Sequence, residues 1–139
     1  MPKFSTRSLD RLGTCHGDLQ DLFKEVVKYF DITITEGHRS SVRQAELYAQ
    51  GRTGPGQIVT NCDGVIRKSR HQSRPSVAVD VVPYPVDWDN AYRFHELAGW
   101  VQCIAMGMGV HVIWGGHWRT IKDLPHWEVD NEMANTDTA

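Results

Sequence analysis

The sequence predicts a small α+β domain, with helices packed on a mostly antiparallel sheet. Three observations lead there. Segments of helical and strand periodicity alternate, but they are too few to supply the crossover units of a doubly wound sheet. The 139 residues suffice for one domain with a core and fall short of two ordinary ones. No repeat and no linker divides the chain, so residues 1–139 read as a single unit.

Residues 1–14 are polar and basic and read as a short N-terminal arm with a turn at Gly13. Asp18 is the N-cap, or a first-turn acid, of a helix reaching about residue 30. Its Leu19, Leu22, Phe23, Val26, Val27 and Phe30 recur at helical spacing and mark a core face. Ile32-Thr33-Ile34-Thr35 alternates as a strand and stops at Glu36-Gly37. Ser40 or Ser41 caps a second helix to about residue 50, which Gly51 ends. Residues 52–70 are the least regular stretch, punctuated by Gly54, Pro55, Gly56 and Gly64. So long a connection in a compact domain often belongs to a site. Residues 77–82 form a short buried strand, and Pro83, Pro85 and Asp87 turn the chain into a helix over about 90–108. That helix turns Phe94, Leu97, Ala98, Val101, Ile104, Ala105 and Met108 inward and ends at Gly107 and Gly109. Residues 110–114 make a strand closed by Gly115-Gly116, and 127–129 make a last short one. Residues 131–139 are a flexible polar tail.

A net charge of -2 with mixed signs gives no global attraction to nucleic acid or anionic lipid. Cys15, Cys62 and Cys103 are odd in number, far apart and without a CxxC pair, which argues against a disulfide framework and for a reducing compartment. No apolar run has transmembrane length, and the N-terminus lacks the apolar region of a signal peptide.

Two stretches carry chemistry. Asp80 sits between Val79 and Val81 in the buried strand, where a carboxylate needs a metal or an arginine to offset its desolvation. Arg39 is the arginine that would make it a structural ion pair. His71 lies in the polar loop just before, and Asp123-Leu124-Pro125-His126 brings a second acid and a second histidine. Period-2 spacing puts His126 and Glu128 on one side of the last strand, with Trp127 and Val129 on the other. Two histidines and one carboxylate would leave a tetrahedral zinc with one open position, the arrangement of a catalytic site. Imidazoles argue against calcium or magnesium. Glu128 is the reserve general base or a hydrogen-bond partner of His126. Trp114, Trp118 and Trp127 are core residues first and groove walls second. His117, in a Gly-Gly-His-Trp turn, is the spare histidine of most interest.

Ser69-x-His71, Ala78-x-Asp80 and Asp123-Leu124-Pro125-His126 together resemble the zinc-dependent cell-wall peptidases that include D-alanyl-D-alanine carboxypeptidases and dipeptidases. Within them the chain most resembles the L-alanyl-D-glutamate endopeptidases encoded as phage endolysins. Glu36-Gly37-His38-Arg39-Ser40, Arg43 to Tyr48, Gly51-Arg52-Thr53 and Ile113-Trp114-Gly115-Gly116 extend the likeness over most of the sequence. The resemblance implies the hedgehog/D-Ala-D-Ala-peptidase fold and one zinc ion on His71, Asp80 and His126. It also implies Asp123 as acid/base, Arg39 as a substrate contact near the metal, and Ser69 as a substrate or supporting contact. The sequence departs from the family's pattern in two places. The loop between His71 and Asp80 is two residues longer than the commoner spacing, and His117 stands where phage relatives tend to have aspartate.

The implied function is cleavage of the L-Ala–D-Glu bond of peptidoglycan stem peptides, leading to host-cell lysis. D-Ala-D-Ala carboxypeptidase or dipeptidase activity is the same-fold alternative, and a catalytically inactive metal-bound wall-binding module is the other. The expected partner is the bacterial peptidoglycan peptide, met by a monomer without nucleic acid or membrane insertion. The enzyme is expected to wait in the host cytoplasm without a signal peptide until a separate holin-like protein permeabilises the membrane.

Overall fold

The computed structural model describes residues 2–130, and the tail expected at 131–139 lies outside them. Four strands form one antiparallel sheet in the order β1-β2-β4-β3: β1 is Ile32–Glu36, β2 Ala78–Pro83, β3 Val112–Trp114 and β4 His126–Val129. The α+β expectation holds. Helix α2 (Gly17–Val26) and helix α4 (Ala91–Met108) pack on each other against one face of the sheet.

The packing follows the spacing read from the sequence. Leu19, Leu22, Phe23 and Val26 are all fully buried on one face of α2. They meet Val79 and Val81 of β2, Trp127 and Val129 of β4, and Leu97, Ala98, Val101 and Ala105 of α4. Each such aliphatic side chain stabilises the fold by about 1.5–3 kcal/mol relative to exposure. Helix α2 is capped by His16, whose Nδ1 accepts from the Asp18 N–H, and it ends at Val26. Asp18 is therefore the first-turn acid, and hydrogen-bonded turns carry the chain on to Phe30. Helix α4 ends at Gly109, whose φ of 71° is the left-handed conformation that glycine adopts without a Cβ clash.

The stretch expected as an arm at 1–14 is corrected by the structure: Thr6–Leu12 is a helix, α1, capped by the Ser5 side chain. Its polar residues are engaged. Ser8 accepts the Ile34 N–H through Oγ, and Arg11 donates to the Ile34 carbonyl. Strand β1 is a sheet edge, so these side chains satisfy backbone groups that would otherwise face outward. Polar composition alone hid that role.

Helix α3 (Ser41–Ala49) starts at Ser40, whose side chain accepts the Arg43 N–H. Gln44 is its one fully buried residue. Its amide donates to the Cys62 carbonyl at 2.8 Å and to Thr60 Oγ1 at 3.3 Å, tying the irregular 52–70 loop to the domain. The loop ends in a 3-10 turn, Arg70–Gln72, with a reciprocal cap between Ser69 and Gln72.

Candidate metal centre

The site grows on the face of β2 and β4 that points away from the helices. Asp80 pairs in register with His126, and Ala78 with Glu128. Strand alternation therefore brings Asp80, His126 and Glu128 to one face while Val79, Trp127 and Val129 enter the core. The 3-10 turn adds His71, 1% exposed. Nitrogens of the two histidines and an oxygen of Asp80 all lie within 4.8 Å of one another.

Both rings are oriented from behind. His71 Nδ1 donates to the Gly37 carbonyl at 2.8 Å, so its Nε2 lone pair faces Asp80 Oδ1 at 3.2 Å. His126 Nε2 donates to Glu128 Oε1 at 2.8 Å, so its Nδ1 lone pair faces the same oxygen at 3.6 Å. Two imidazole nitrogens and a carboxylate oxygen thus converge, and His71 Nε2 and Asp80 Oδ1 are buried without a hydrogen-bond partner. Orphaned acceptors of this kind are costly, and a cation would satisfy them together. The residues fit a metal ion. The pocket attracts positive charge: burial works against charge on His126, yet Asp80 and Glu128 push it up to about 9, so a proton on His126 takes the place a cation would fill. Burial also opposes ionisation of Asp80, but the neighbouring His71 and His126 hold it far below the ordinary carboxylate range.

Arg39 holds the other side of Asp80. Its Nε and Nη2 clasp Glu36 at 2.8 and 2.9 Å, Nη1 reaches Gln44 Oε1 at 2.8 Å, and Nη2 lies 3.4 Å from Asp80 Oδ2. The guanidinium is only 8% exposed, so it is committed to protein partners. Glu36 reaches this position through a break in register. Ile32 and Ile34 face the core, and strict alternation would send Glu36 after them. A shift between Ile34 and Glu36 sets Glu36 opposite Asp80 instead.

Asp123 comes from the turn before β4. Its N–H donates to the Gly115 carbonyl, its carbonyl accepts the His126 N–H, and its Oδ2 lies 3.8 Å from His126 Nδ1. Burial and the charge of Asp80 push its carboxyl up to about 6 against the opposing pull of His126, His71 and Arg39. A Cβ on Gly115 would run into the Asp123 carbonyl, so the glycine lets this turn close.

A cleft of about 900 Å³ opens over the cluster, lined by Arg39, Ser69, His71, Asp80, Asp123, His126 and Glu128 among others. Ser69 accepts the His71 N–H and so supports the turn carrying that ring. Of the tryptophans, Trp88 and Trp118 line the cleft, the Trp118 ring 4.7 Å from that of His126. Trp127 does not. It is 1% exposed in the core, stacked on Trp114 at 5.8 Å, because its strand position faces the helices. His117 is exposed, packs edge-on to Trp114 and is absent from the cleft wall. Sequence reasoning missed Glu36, Gln44 and the Gly37 carbonyl. The Glu36-Arg39 spacing and a buried-phase Gln44 on α3 were the available signals.

The family described as phage L-alanyl-D-glutamate peptidase matches this chain over residues 1–137. The peptidoglycan L-alanyl-D-glutamate endopeptidase CwlK of Bacillus subtilis is 34% identical over 104 residues, which are 73% of this chain and 62% of CwlK. The chain thus spans under two thirds of that relative's length. Among solved structures, the Serratia marcescens L-Ala D-Glu endopeptidase ChiX superposes with a TM-score of 0.72 at 31% identity, covering 95% of this chain and 93% of ChiX.

Proposed function

The chain belongs to the phage L-alanyl-D-glutamate peptidase family, and on that premise we propose that it hydrolyses the L-Ala–D-Glu bond of peptidoglycan peptides with one zinc ion on His71, Asp80 and His126. The carrying observation is the convergence of two imidazole nitrogens and a carboxylate oxygen, all within 4.8 Å of one another, at the floor of the cleft. Two imidazoles and one carboxylate suit zinc better than the harder cations, which prefer oxygen. The ion, when bound, supplies an acidified water and polarises the scissile carbonyl.

The chain's own residues do the rest. Asp123, at the cleft wall, accepts the proton of the attacking water and passes it to the departing amine of D-Glu as the C–N bond breaks. Its raised pKa suits a group that must both take and give a proton near neutrality. Gly37 and Glu128 fix the ring orientations, and Arg39 fixes the Asp80 carboxylate from its far oxygen. Arg39 therefore acts as a positioning residue through Asp80. A lytic role in releasing phage from the host, with a holin-like partner opening the membrane, is supported by the phage character of the matching family. No helix among the described residues is long and apolar enough to cross a membrane.

The test is digestion of purified peptidoglycan followed by mass spectrometry of the new termini. Stem peptides beginning at D-Glu, with L-Ala left on the muramyl lactyl group, are expected. Release of single D-Ala with L-Ala–D-Glu intact would assign the carboxypeptidase reaction instead. Elemental analysis of the same preparation should find about one zinc per chain.

A further inference from the structure

Five cationic side chains line the cleft, and they are of two kinds. Arg39 and Arg70 are matched to carboxylates: Arg39 to Glu36 and Asp80, Arg70 to Glu128 at 3.1 Å. Arg67, Lys68 and Arg119 are exposed and have no carboxylate within 4.0 Å among the described residues. The cleft's own acids cannot serve them, because Glu36, Asp80 and Glu128 are engaged by Arg39, Arg70 and the histidines, and Asp123 lies beside His126. Three cations without a carboxylate partner thus line the same groove as the metal cluster.

The backbone leading to two of these cations is organised by hydrogen bonds. Asp63 Oδ1 accepts the N–H groups of Val65, Ile66 and Arg67, each at 2.9 Å. Gly64 donates to the Arg67 carbonyl, and its own carbonyl accepts from Gln72 Nε2 at 3.0 Å. A ligand would find the loop already in place, which lowers the ordering cost of binding.

We infer that Arg67, Lys68 and Arg119 form a carboxylate subsite that reads the free carboxyl group of the substrate's D-glutamate. The inference rests on the L-Ala–D-Glu reading above and adds the recognition of the acid. Glutamate is a dicarboxylic acid: whichever carboxyl continues the peptide, the other stays free and negative unless amidated. Arg39 cannot take that charge, since its nitrogens are committed and it is buried. Guanidinium groups at the groove can bind a carboxylate through paired N–H donors.

The experiment compares two synthetic peptides on the zinc-loaded chain, one with L-Ala–D-Glu and the other with the free carboxyl amidated. The wild type should prefer the acid by about tenfold in kcat/KM, mainly through KM, the size of a charge-assisted hydrogen bond partly open to water. In Arg67→Gln/Lys68→Gln/Arg119→Gln the acid peptide should lose about tenfold and the amide about twofold, while Arg67→Lys and Arg119→Lys keep the preference. Salt at 0.5 M should weaken it. Equal cleavage of both peptides by the wild type, or equal losses on both in the triple variant, would overturn the subsite and leave the peptidase reading intact. Cleavage of neither would overturn that reading. Calorimetric titration of zinc-loaded Asp123→Asn with both peptides then decides the subsite separately, with equal affinity counting against it.

Discussion

The two faces of the β2-β4 pair are built from alternating residues of the same short segments, yet they obey different rules. On one face Val79, Val81, Trp127 and Val129 bury apolar area against α2 and α4. On the other, Asp80, His126 and Glu128 gather charge and lone pairs, held by groups from β1, the 3-10 turn and the 123–126 turn. The apolar face tolerates exchange of volume for similar volume, because dispersion and burial are non-directional. The polar face depends on individual atoms at fixed distances, so removing one group leaves its partners unsatisfied. Substitutions on the two faces should therefore separate function from stability.

The largest effect on turnover should come from Asp80→Asn. The amide keeps the shape and the contact toward Arg39 while its charge, the one anion between the two imidazoles, is lost. Metal content should fall well below one per chain, and turnover should drop by more than about 10⁴-fold, beyond the loss of a general base alone. Full zinc occupancy by elemental analysis would place the ligands elsewhere.

Asp123→Asn should sharpen the contrast within the polar face itself. It should retain zinc and fold but lose about 10²–10⁴-fold in kcat, because an amide accepts no proton. The wild-type rate should also show an acid limb. As the proposed base, Asp123 would work only when ionised, so the rate should be full above its pKa and fall as pH drops through it. The ion-free site places that pKa at about 6, and a bound dication would lower it, so the midpoint should lie at or below about 6. Zinc release followed over the same range separates metal loss from protonation. A flat rate between pH 7 and 4 would move the base to another residue.

The faces also differ in how legible they were from the sequence. Helical spacing in α2 and α4 and the Val-rich run around Asp80 identified most of the core, because burial follows local periodicity, but Met108 in the last turn of α4 is exposed and Ile104 only partly buried. The spacing of His126 and Glu128 foretold their shared face, and the resemblance supplied His71, Asp80, His126 and Asp123 as a set. The supports were hidden. Glu36 breaks the alternation of its strand, and only the register shift against β2 turns it toward Arg39. Gly37 contributes a carbonyl, which no side-chain pattern encodes. Helix α1 was mistaken for an arm because its serine and arginine serve the β1 edge rather than the core. Trp127 and Trp118 look alike in sequence and take opposite faces.

Glu128→Gln should have a smaller effect. Glu128 fixes His126 through Nε2 and is itself held by Arg70 at 3.1 Å. The amide can still accept one hydrogen bond but brings no charge to raise the basicity of the ring. Zinc affinity should weaken by about 10–100-fold, the usual range for a group behind a histidine ligand, with kcat at saturating zinc much less changed. A competition titration with a chelator reads the affinity. A collapse of kcat with zinc fully bound would instead make Glu128 a participant in proton transfer.

The smallest effect on chemistry should come from the opposite face, and there the stability cost should be large. Phe23 is fully buried on α2 and meets Trp127 edge-on with centroids 6.3 Å apart. Phe23→Ala leaves a cavity beneath the strand that carries His126 and should cost about 3–5 kcal/mol of folding stability. For a domain of this size each kcal/mol lowers Tm by roughly 4 °C, so the melting transition should move by roughly 12–20 °C. Turnover per folded molecule at low temperature should nonetheless stay within about threefold of wild type, because backbone pairing of Asp80 with His126 and the hydrogen bonds to Gly37 and Glu128 do not pass through the cavity. Calorimetry and an activity assay at 10 °C with zinc in excess measure the two quantities independently. Loss of turnover in proportion to stability, in molecules shown to be folded, would mean that the core face sets the metal geometry and that the two faces act as one unit.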